Sequence, residues 1–327
     1  MHATSPVWTV VLAAGDGSRL RALTTTPTGT AVPKQFCSLF DGPTLLHEAL
    51  RRARTLAGER TTCVVVAAHH RQWWQEALAG LPERNVIVQP RNRGTAIGIL
   101  LPLLCILEQD PDAQVVLLPS DHLVREEPVL AAALRSALGN LHRRTCEPLL
   151  MGMVPEEPDP QLGYIVPEVR APGAALRVAQ FVEKPTRAQA EALIRAGALW
   201  NAFIMVTRGQ ALLALLRARC ADIVSAVQAA LERDRRQPDA GALAALYEQL
   251  PALDFSRDIV AGQEAALRVV AAPPCGWSDL GTPQRVQAAL QRGPQTRPQV
   301  PTRGRGPWLS LAAQHARLCL QQQALQA

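Results

Sequence analysis

The sequence lacks a Cys-x-x-Cys pair, although it contains seven cysteines. They are Cys37, Cys63, Cys105, Cys146, Cys220, Cys275 and Cys319. An odd set without close spacing disfavours both a disulfide framework and a common zinc site, so we expect a reducing, cytoplasmic environment. Aromatic residues make up only 4% of the chain and the arginines are scattered. Nucleic-acid binding is therefore not expected, despite a net charge of +6.

The sequence also has no apolar run long enough to cross a membrane. The longest such run, IGILLPLLCIL at 97–107, is too short for a bilayer and contains Pro102. It predicts a buried helix instead. The first residues lack a basic segment followed by an apolar core, so neither a secretory leader nor a membrane partner is expected.

Lysine is scarce, because only Lys34 and Lys184 are lysines among 34 basic residues. A lysine offers a compact point charge where arginine offers a planar fork. We therefore interpret both positions as candidates for a specific contact, with chance as the alternative. The overall composition, 48% hydrophobic and 19% charged over 327 residues, is that of a globular protein with a large core.

A glycine loop follows the first apolar run, in VVLAAGDGSRL at 10–20. Neither a dinucleotide loop nor a Walker loop fits, because Leu20 stands where the third glycine would be and no Gly-Lys-Ser/Thr follows. What remains is G-x-G-x-R, in which Gly15 and Gly17 allow backbone N–H groups to approach an anion and Arg19 adds charge. A tight strand-to-helix turn with a solvated arginine is the alternative.

Alternating apolar runs and helical segments predict an α/β fold. Strands are predicted at 9–14, 62–68, 85–89, 114–122, 148–155, 162–169 and 176–185. Helices are predicted at 44–58, 129–144 and 187–198, and 210–250 is mainly helical. We expect a doubly wound, mostly parallel, Rossmann-like sheet with helices on both faces.

The domain organisation is predicted from a change in composition near the end. Residues 1–290 form the catalytic domain, 291–308 a Pro/Gly/Arg-rich linker, and 309–327 a short C-terminal helix. Leu311, Leu318 and Leu325 have heptad spacing in that helix. A partner helix or docking element on the one hand, and a frayed tail on the other, are open interpretations.

Two aspartates are candidate metal ligands. Asp121 follows the apolar strand QVVLLPS at the sheet edge that carries the glycine loop, and Asp279 lies in GWSDLG. Mg²⁺ is commonly held by one or two carboxylates together with substrate phosphates. Each aspartate alone could equally be a helix cap or a turn residue.

The segment FVEKP places Lys184 before Pro185, which biases its backbone toward an extended conformation. We interpret Lys184 as a phosphate contact and Glu183 as an acceptor for hydroxyls, with a surface ion pair as the alternative. Asn201 in WNAFIM would need a partner if buried, either a sugar hydroxyl or a backbone cap. His69 and His70 are interpreted as structural, because adjacent histidines point apart and no acid stands at ligand spacing.

Eight motifs occur together in one order, and this order resembles sugar-phosphate nucleotidyltransferases, in particular the mannose-1-phosphate guanylyltransferases. The motifs are LAAGDGSRL, PKQF, QPRNRGTA, LLPSDH, LGYIVP, FVEKP, WNAFI and WSDLG, within 8–285. The resemblance implies transfer of GMP from GTP to mannose 1-phosphate with Mg²⁺ as cofactor. It implies two small-molecule substrates as partners and leaves a homodimer open.

The resemblance also implies a role for each matching residue. Those implied in catalysis are Arg19, Lys34, Asp121 and Lys184, with Asp121 and Asp279 on the metal. Those implied in nucleotide binding are Leu12, Ala13, Ala14, Gly15, Gly17, Gln89, Asn92, Gly94, Thr95 and Ser120. Those implied in sugar-phosphate binding are Gly163, Tyr164, Glu183, Lys184 and Asn201.

Several departures from the family pattern concern specificity. Ala14 replaces a common glycine, Ala22 a frequent proline, and WNAF lacks the glycine usually found after W-N-S. A different sugar and nucleotide pair is therefore an alternative, and a non-catalytic nucleotide-sugar sensor is another. The long isomerase domain of bifunctional relatives has no counterpart here, so we expect one activity.

Overall fold

The computed structural model describes residues 6–40, 42–143, 147–169, 174–293 and 309–315. A single nine-stranded sheet organises these residues, in the order β3-β2-β1-β4-β8-β5-β9-β7-β6. The strands are β1 Val7–Ala13, β2 Thr62–Ala67, β3 Val86–Gln89, β4 Gln114–Pro119, β5 Leu149–Met153, β6 Gly163–Pro167, β7 Leu176–Glu183, β8 Leu199–Arg208 and β9 Arg268–Ala271. The predicted Rossmann-like α/β fold is confirmed.

The first half of the sheet is parallel. Strand β1 pairs with β2 on one side and with β4 on the other, and β2 pairs with β3. These strands are rich in buried β-branched residues, as expected for a parallel sheet covered on both faces. Because β1 is flanked by β2 and β4, the loops after these strands open at one edge, where ligands bind in such folds.

The second half of the sheet is mixed. Strand β8 runs antiparallel to β4, β5 and β6, whereas β5 and β9 are parallel neighbours. Strands β8 and β9 were not predicted as strands. Strand β8 carries Asn201 and brings the chain from the LGYIVP and FVEKP segments back to the parallel half.

Helices cover both faces of the sheet, as predicted. The helices are α1 Arg21–Thr24, α2 Leu45–Arg54, α3 Arg71–Trp74, α4 Gly94–Gln109, α5 Glu127–Arg143, α6 Arg187–Arg195, α7 Gly209–Arg236, α8 Ala242–Gln249 and α9 Pro283–Gln291. The apolar run 97–107 lies inside α4, which continues through Pro102. Helix α7 is interrupted at Cys220, whose backbone is not helical.

Two hydrophobic clusters pack on opposite faces of the sheet. Successive residues of β1 point to opposite clusters. Val11 packs in the cluster with α2 and α5, and Val10 packs in the cluster with α4 and α7. This alternation follows from the period of two in a strand. Among the described helices, none is long and apolar enough to cross a membrane.

The described part of the C-terminal region is 309–315. Ser38 N donates to Leu309 O and Leu311 N donates to Ser38 O, at 3.0 and 2.9 Å, and a helical turn then begins at Leu311. Leu311 is fully buried in the α2 cluster. Residues 294–308 of the predicted linker lie outside the described residues, as do Leu318 and Leu325, so the predicted domain boundaries stay a prediction.

Candidate active site

A cleft of about 540 Å³ opens at the carboxyl end of the parallel strands. Its wall includes sixteen of the predicted site residues. They are Leu12, Ala14, Gly15, Gly17, Arg19, Gln89, Asn92, Gly94, Thr95, Ser120, Asp121, Gly163, Glu183, Lys184, Asn201 and Asp279. A cleft of this size fits within the range of small-molecule sites in proteins.

The glycine loop forms the rim of the cleft beside β1. Gly17 has φ +62, and a Cβ atom there would lie only 3.0 Å from the backbone nitrogen of Lys34. Glycine is therefore required at this position for both conformation and space. The Gln35 amide donates to Ala13 O and Gly15 O, each at 2.9 Å, which holds the loop from below. Gln35 was not predicted as a site residue, although it belongs to the PKQF motif.

Lys34 lies beneath the two candidate metal ligands and is only 3% exposed. Its Nζ lies 2.8 Å from Asp121 Oδ2 and donates to Asp279 O at 2.5 Å. The buried Lys34 ammonium thus connects Asp121 and Asp279, which are far from each other in the sequence. The placement identifies Lys34 as the residue that positions both aspartates, and its predicted contact with the nucleotide phosphates stays a prediction.

Both aspartates are held in the ionised form. Burial, the largest single effect, would raise the pKa of Asp121, but the Lys34 ammonium together with His122 and Arg19 outweighs it and the pKa is lowered. The pKa of Asp279 is lowered in the same way, with burial opposed by the Arg285 guanidinium. Both carboxylates line the cleft, and oxygen donors of this kind suit a hard divalent cation such as Mg²⁺.

Two groups around Asp279 were not predicted from the sequence. Arg285, at the start of α9, bridges Asp279 to Asp159 and lies over the Trp200 ring, 5.7 Å from its centroid. His122 Nδ1 accepts from Trp277 Nε1 at 3.2 Å, and burial lowers the pKa of His122 to about 4. Their signal in the sequence is weak, because neither lies in a motif that predicts a charge partner.

Glu183 and Lys184 lie at the end of β7. A Cβ atom on Gly163 would lie 2.5 Å from Glu183 Oε2, so only glycine leaves room for this carboxylate. Burial raises the pKa of Glu183, although Lys184 Nζ lies 3.7 Å from its Oε1. The prediction of an extended backbone at Lys184 is wrong, because its φ is +49. Lys184 N donates to Leu162 O at 3.2 Å, and the chain turns sharply there to enter α6.

Asn201 joins β8 to the loop after α8. Its side chain accepts from Phe203 N at 3.1 Å and donates to Ser256 Oγ at 3.3 Å. Phe203 has φ +56 and packs edge-on against Phe255, with ring centroids 6.1 Å apart. Phe203 thus occupies a left-handed position at the cleft wall, where the family pattern has glycine.

The opposite wall is the segment before α4. Gly94, with φ +81, leaves no room for a Cβ atom, which would lie 2.2 Å from Leu253 O. Asn92 accepts from Gly94 N at 3.0 Å, and Thr95 Oγ1 accepts from Phe255 N at 2.8 Å. Residues 92–95 and 252–257 therefore form one continuous wall.

Three predicted site residues do not line the cleft. Ala13 is buried and contributes only its carbonyl group to Gln35. Lys34 lies below the cleft floor. Tyr164 is fully buried, and its hydroxyl donates to Asp159 O at 3.1 Å and accepts from Asp159 N at 2.8 Å. Their predicted roles at the substrates stay predictions.

The interpretation of His69 and His70 needs correction. Asp16, in the glycine loop, lies within reach of both rings, 3.0 Å from His69 Nε2 and 3.3 Å from His70 Nε2. The prediction that no acid stands at ligand spacing is therefore wrong. Sequence spacing did not reveal the contact, because the acid comes from the loop after the neighbouring strand β1.

Comparisons with known proteins agree with this geometry. Residues 8–293 match the Nucleotidyl transferase family. The alginate biosynthesis protein AlgA of Pseudomonas putida is 30% identical over 83% of this chain, and the mannose-1-phosphate guanylyltransferase of Escherichia coli K12 is 30% identical over 86%. The chain spans 56% and 59% of the lengths of these two relatives.

A solved structure has the same fold. It is described as a mannose-1-phosphate geranyltransferase from Thermus thermophilus, with 27% identity and a TM-score of 0.69 over 84% of this chain and 76% of that one. The inositol-1-phosphate CTP transferase of T. maritima, at 15% identity and a TM-score of 0.54, shares the fold alone. Fold, cleft and family match agree: the chain belongs to the Nucleotidyl transferase family.

Proposed function

We propose that the protein transfers GMP from GTP to mannose 1-phosphate and releases pyrophosphate. Relatives named mannose-1-phosphate guanylyltransferase support this pair of substrates, and the name of the Thermus structure supports mannose 1-phosphate as one of the two. The observation that carries the proposal is the Lys34 cluster. It brings two ionised carboxylates together beside a glycine loop at the edge of the sheet where nucleotides bind.

The reaction is an in-line displacement. A phosphate oxygen of mannose 1-phosphate attacks the α-phosphorus of GTP and forms the new P–O bond. The bond from the α-phosphorus to the bridging oxygen breaks, and pyrophosphate carries away the electron pair. Both reactants are anions that repel each other, so catalysis consists mainly of positioning and charge neutralisation.

The cleft has cationic groups on both sides for this purpose. Arg19 stands on the glycine loop and lines the cleft, and it would receive the triphosphate together with the N–H groups near Gly15 and Gly17. Lys184 stands at the opposite end, beside Glu183, and would receive the sugar phosphate. Glu183 and Asn201 supply acceptors and donors for sugar hydroxyls.

Asp121 and Asp279 would hold Mg²⁺. Members of this family generally use a divalent metal, and two ionised carboxylates facing the cleft fit one. When bound, Mg²⁺ supplies charge neutralisation and orientation for the phosphates. Lys34 would keep the Asp121 carboxylate and the Asp279 backbone in place, and Arg285 the Asp279 carboxylate. The cytoplasmic location and a homodimeric state stay predictions.

The test is pyrophosphate release with Mg²⁺, crossing the four nucleoside triphosphates with mannose 1-phosphate and glucose 1-phosphate. We expect release with GTP and mannose 1-phosphate. Activity with another pair would retain the chemistry and reject the specificity. If no pair releases pyrophosphate but the protein binds GTP, the result would indicate a sensor and reject the proposed activity.

Lys34 allows a second test on the same assay. Lys34→Met keeps most of the buried aliphatic volume but removes the cation between Asp121 and Asp279. We expect turnover to fall by roughly 10²-fold or more, since a misplaced constellation loses much of its positioning. Arg21→Met, an exposed change near the loop, is the control. Turnover near the wild-type value in Lys34→Met would contradict the role of the cluster.

A further inference from the structure

Asp16, His69 and His70 form a compact side-chain cluster at the rim of the cleft, which we call the rim cluster. One ligand atom from each residue lies within 4.8 Å of the others. Asp16 Oδ1 is 3.0 Å from His69 Nε2 and 3.3 Å from His70 Nε2. The proposed reaction uses none of these three side chains, so their convergence needs another explanation.

Two of the three side chains are held in place from behind. The His70 ring is only 6% exposed and packs edge-on against Phe36, with centroids 6.1 Å apart. Asn92 Nδ2 donates to Asp16 Oδ2 at 3.2 Å, which leaves Oδ1 directed toward the histidines. Outer contacts of this kind orient metal ligands in proteins. The cluster is therefore partly preorganised.

The donor set selects one class of cation. Two imidazole nitrogens and one carboxylate suit Zn²⁺ and neighbouring transition metals, whereas Mg²⁺ prefers oxygen ligands alone. Three protein ligands leave one position of a tetrahedral site for water. The rim cluster thus differs in chemistry from the Asp121 and Asp279 pair.

We propose that the rim cluster is a binding site for a zinc-class divalent cation, with Asp16, His69 and His70 as its ligands. Such an ion cross-links the glycine loop after β1 to the turn after β2. Gly15 and Gly17 flank Asp16, so this loop has little side-chain packing of its own to hold it. The proposal does not depend on the substrates of the reaction.

The experiment is a calorimetric titration in which Zn²⁺ is added to tag-free protein. The buffer contains millimolar Mg²⁺ throughout, which competes for sites built from oxygen ligands. We expect one Zn²⁺ per chain with micromolar or tighter affinity, and a loss of roughly tenfold or more in His69→Ala and Asp16→Asn. The matched controls are His47→Ala and Asp112→Asn, which remove the same groups elsewhere and should bind as the wild type does.

A cobalt titration provides an independent readout. Co²⁺ bound by nitrogen and oxygen ligands gives visible absorption without the intense thiolate bands that a cysteine site would show. Circular dichroism checks that each variant is folded. The proposal is overturned if Zn²⁺ binds the wild type no tighter than millimolar, if folded His69→Ala and Asp16→Asn bind as the wild type does, or if thiolate bands appear.

Discussion

At the scale of single residues, the backbone has unfavourable positive φ angles at and near the cleft. Among the described residues, the non-glycine residues with positive φ are Lys184, Phe203 and Leu280. Lys184 and Phe203 line the cleft, and the Leu280 carbonyl lies 3.4 Å from Lys34 Nζ. Left-handed backbone costs roughly 1–2 kcal/mol for a residue with a side chain. Such strain commonly gathers at functional sites, where it fixes side-chain direction.

Glu183 is a residue whose charge costs stability. Its folded-state pKa is raised by burial, so the unfolded state ionises more readily. The contribution of Glu183 to stability is therefore most favourable at low pH and is lost as pH rises from the ordinary carboxyl range through the raised folded pKa. Glu183→Gln removes this cost. We expect the variant to be more stable than the wild type at pH 7, by an amount of order 1 kcal/mol.

The measurement for Glu183→Gln is urea unfolding at pH 7 and again near pH 4.5. The gain should shrink at the lower pH, where the wild-type carboxyl is protonated in the folded state. Glu191→Gln, on the exposed side of α6, is the matched control and should change little at either pH. If Glu183→Gln is less stable than the wild type at pH 7, the interactions of the ionised carboxylate outweigh the cost of burying its charge, and the prediction is wrong.

At the scale of elements, the start of α4 depends on one contact with a distant loop. Leu253 O accepts from Ala96 N at 3.0 Å, and Leu253 N donates to Arg93 O at 3.1 Å. These bonds satisfy backbone groups that the helix terminus would leave unpaired. Gly94 has to pass directly over the Leu253 carbonyl for this to happen. The cleft wall of 92–95 and 252–257 therefore rests on a single glycine.

Gly94→Ala should accordingly destabilise the protein by about 2–4 kcal/mol, through backbone strain and a clash with Leu253 O. It should also raise the KM for the nucleoside triphosphate, since the wall moves. Gly139→Ala in α5, where a Cβ atom meets nothing within 4 Å, is the matched control. It should gain roughly 0.5–1 kcal/mol from helix propensity. Equal unfolding midpoints for the two variants would contradict this interpretation of the contact.

At the scale of the whole molecule, the C-terminal segment closes over the start of the chain. Residues 309–311 pair with Ser38, shortly after the Lys34 turn, and Leu311 enters the core beside α2. The pairing is parallel to the Ser38 segment. This contact gives the far end of the described chain a structural role near the cleft.

Leu311→Ala should cost about 2–4 kcal/mol of stability, because it empties a fully buried site. Thermal unfolding at one scan rate measures the change. Gln314→Ala, on the same helical turn and half-buried, is the control and should lie within about 0.5 kcal/mol of the wild type. If Leu311→Ala behaves like the control, the segment does not dock in solution.

Much of the fold was predictable, since β1, β2 and β4 of the parallel half are buried, mostly apolar runs. Strands β8 and β9 escaped prediction because their pairing is set by the sheet rather than by their own pattern. The cleft residues were predictable from motifs that follow strands. Arg285, the Lys184 backbone and the Asp16 contact were not, because each depends on a neighbour that only the tertiary structure supplies.

The Lys34 cluster has a consequence for protein synthesis. Its ammonium group needs the carbonyl of Asp279, which the ribosome makes 245 residues later. The glycine loop, β1, β2, β3 and β4 are all translated before that carbonyl exists. A nascent chain can therefore assemble the parallel half of the sheet early, while the Lys34 cluster is completed only when the WSDLG segment has left the exit tunnel. Translation products truncated before that segment would thus lack the cluster.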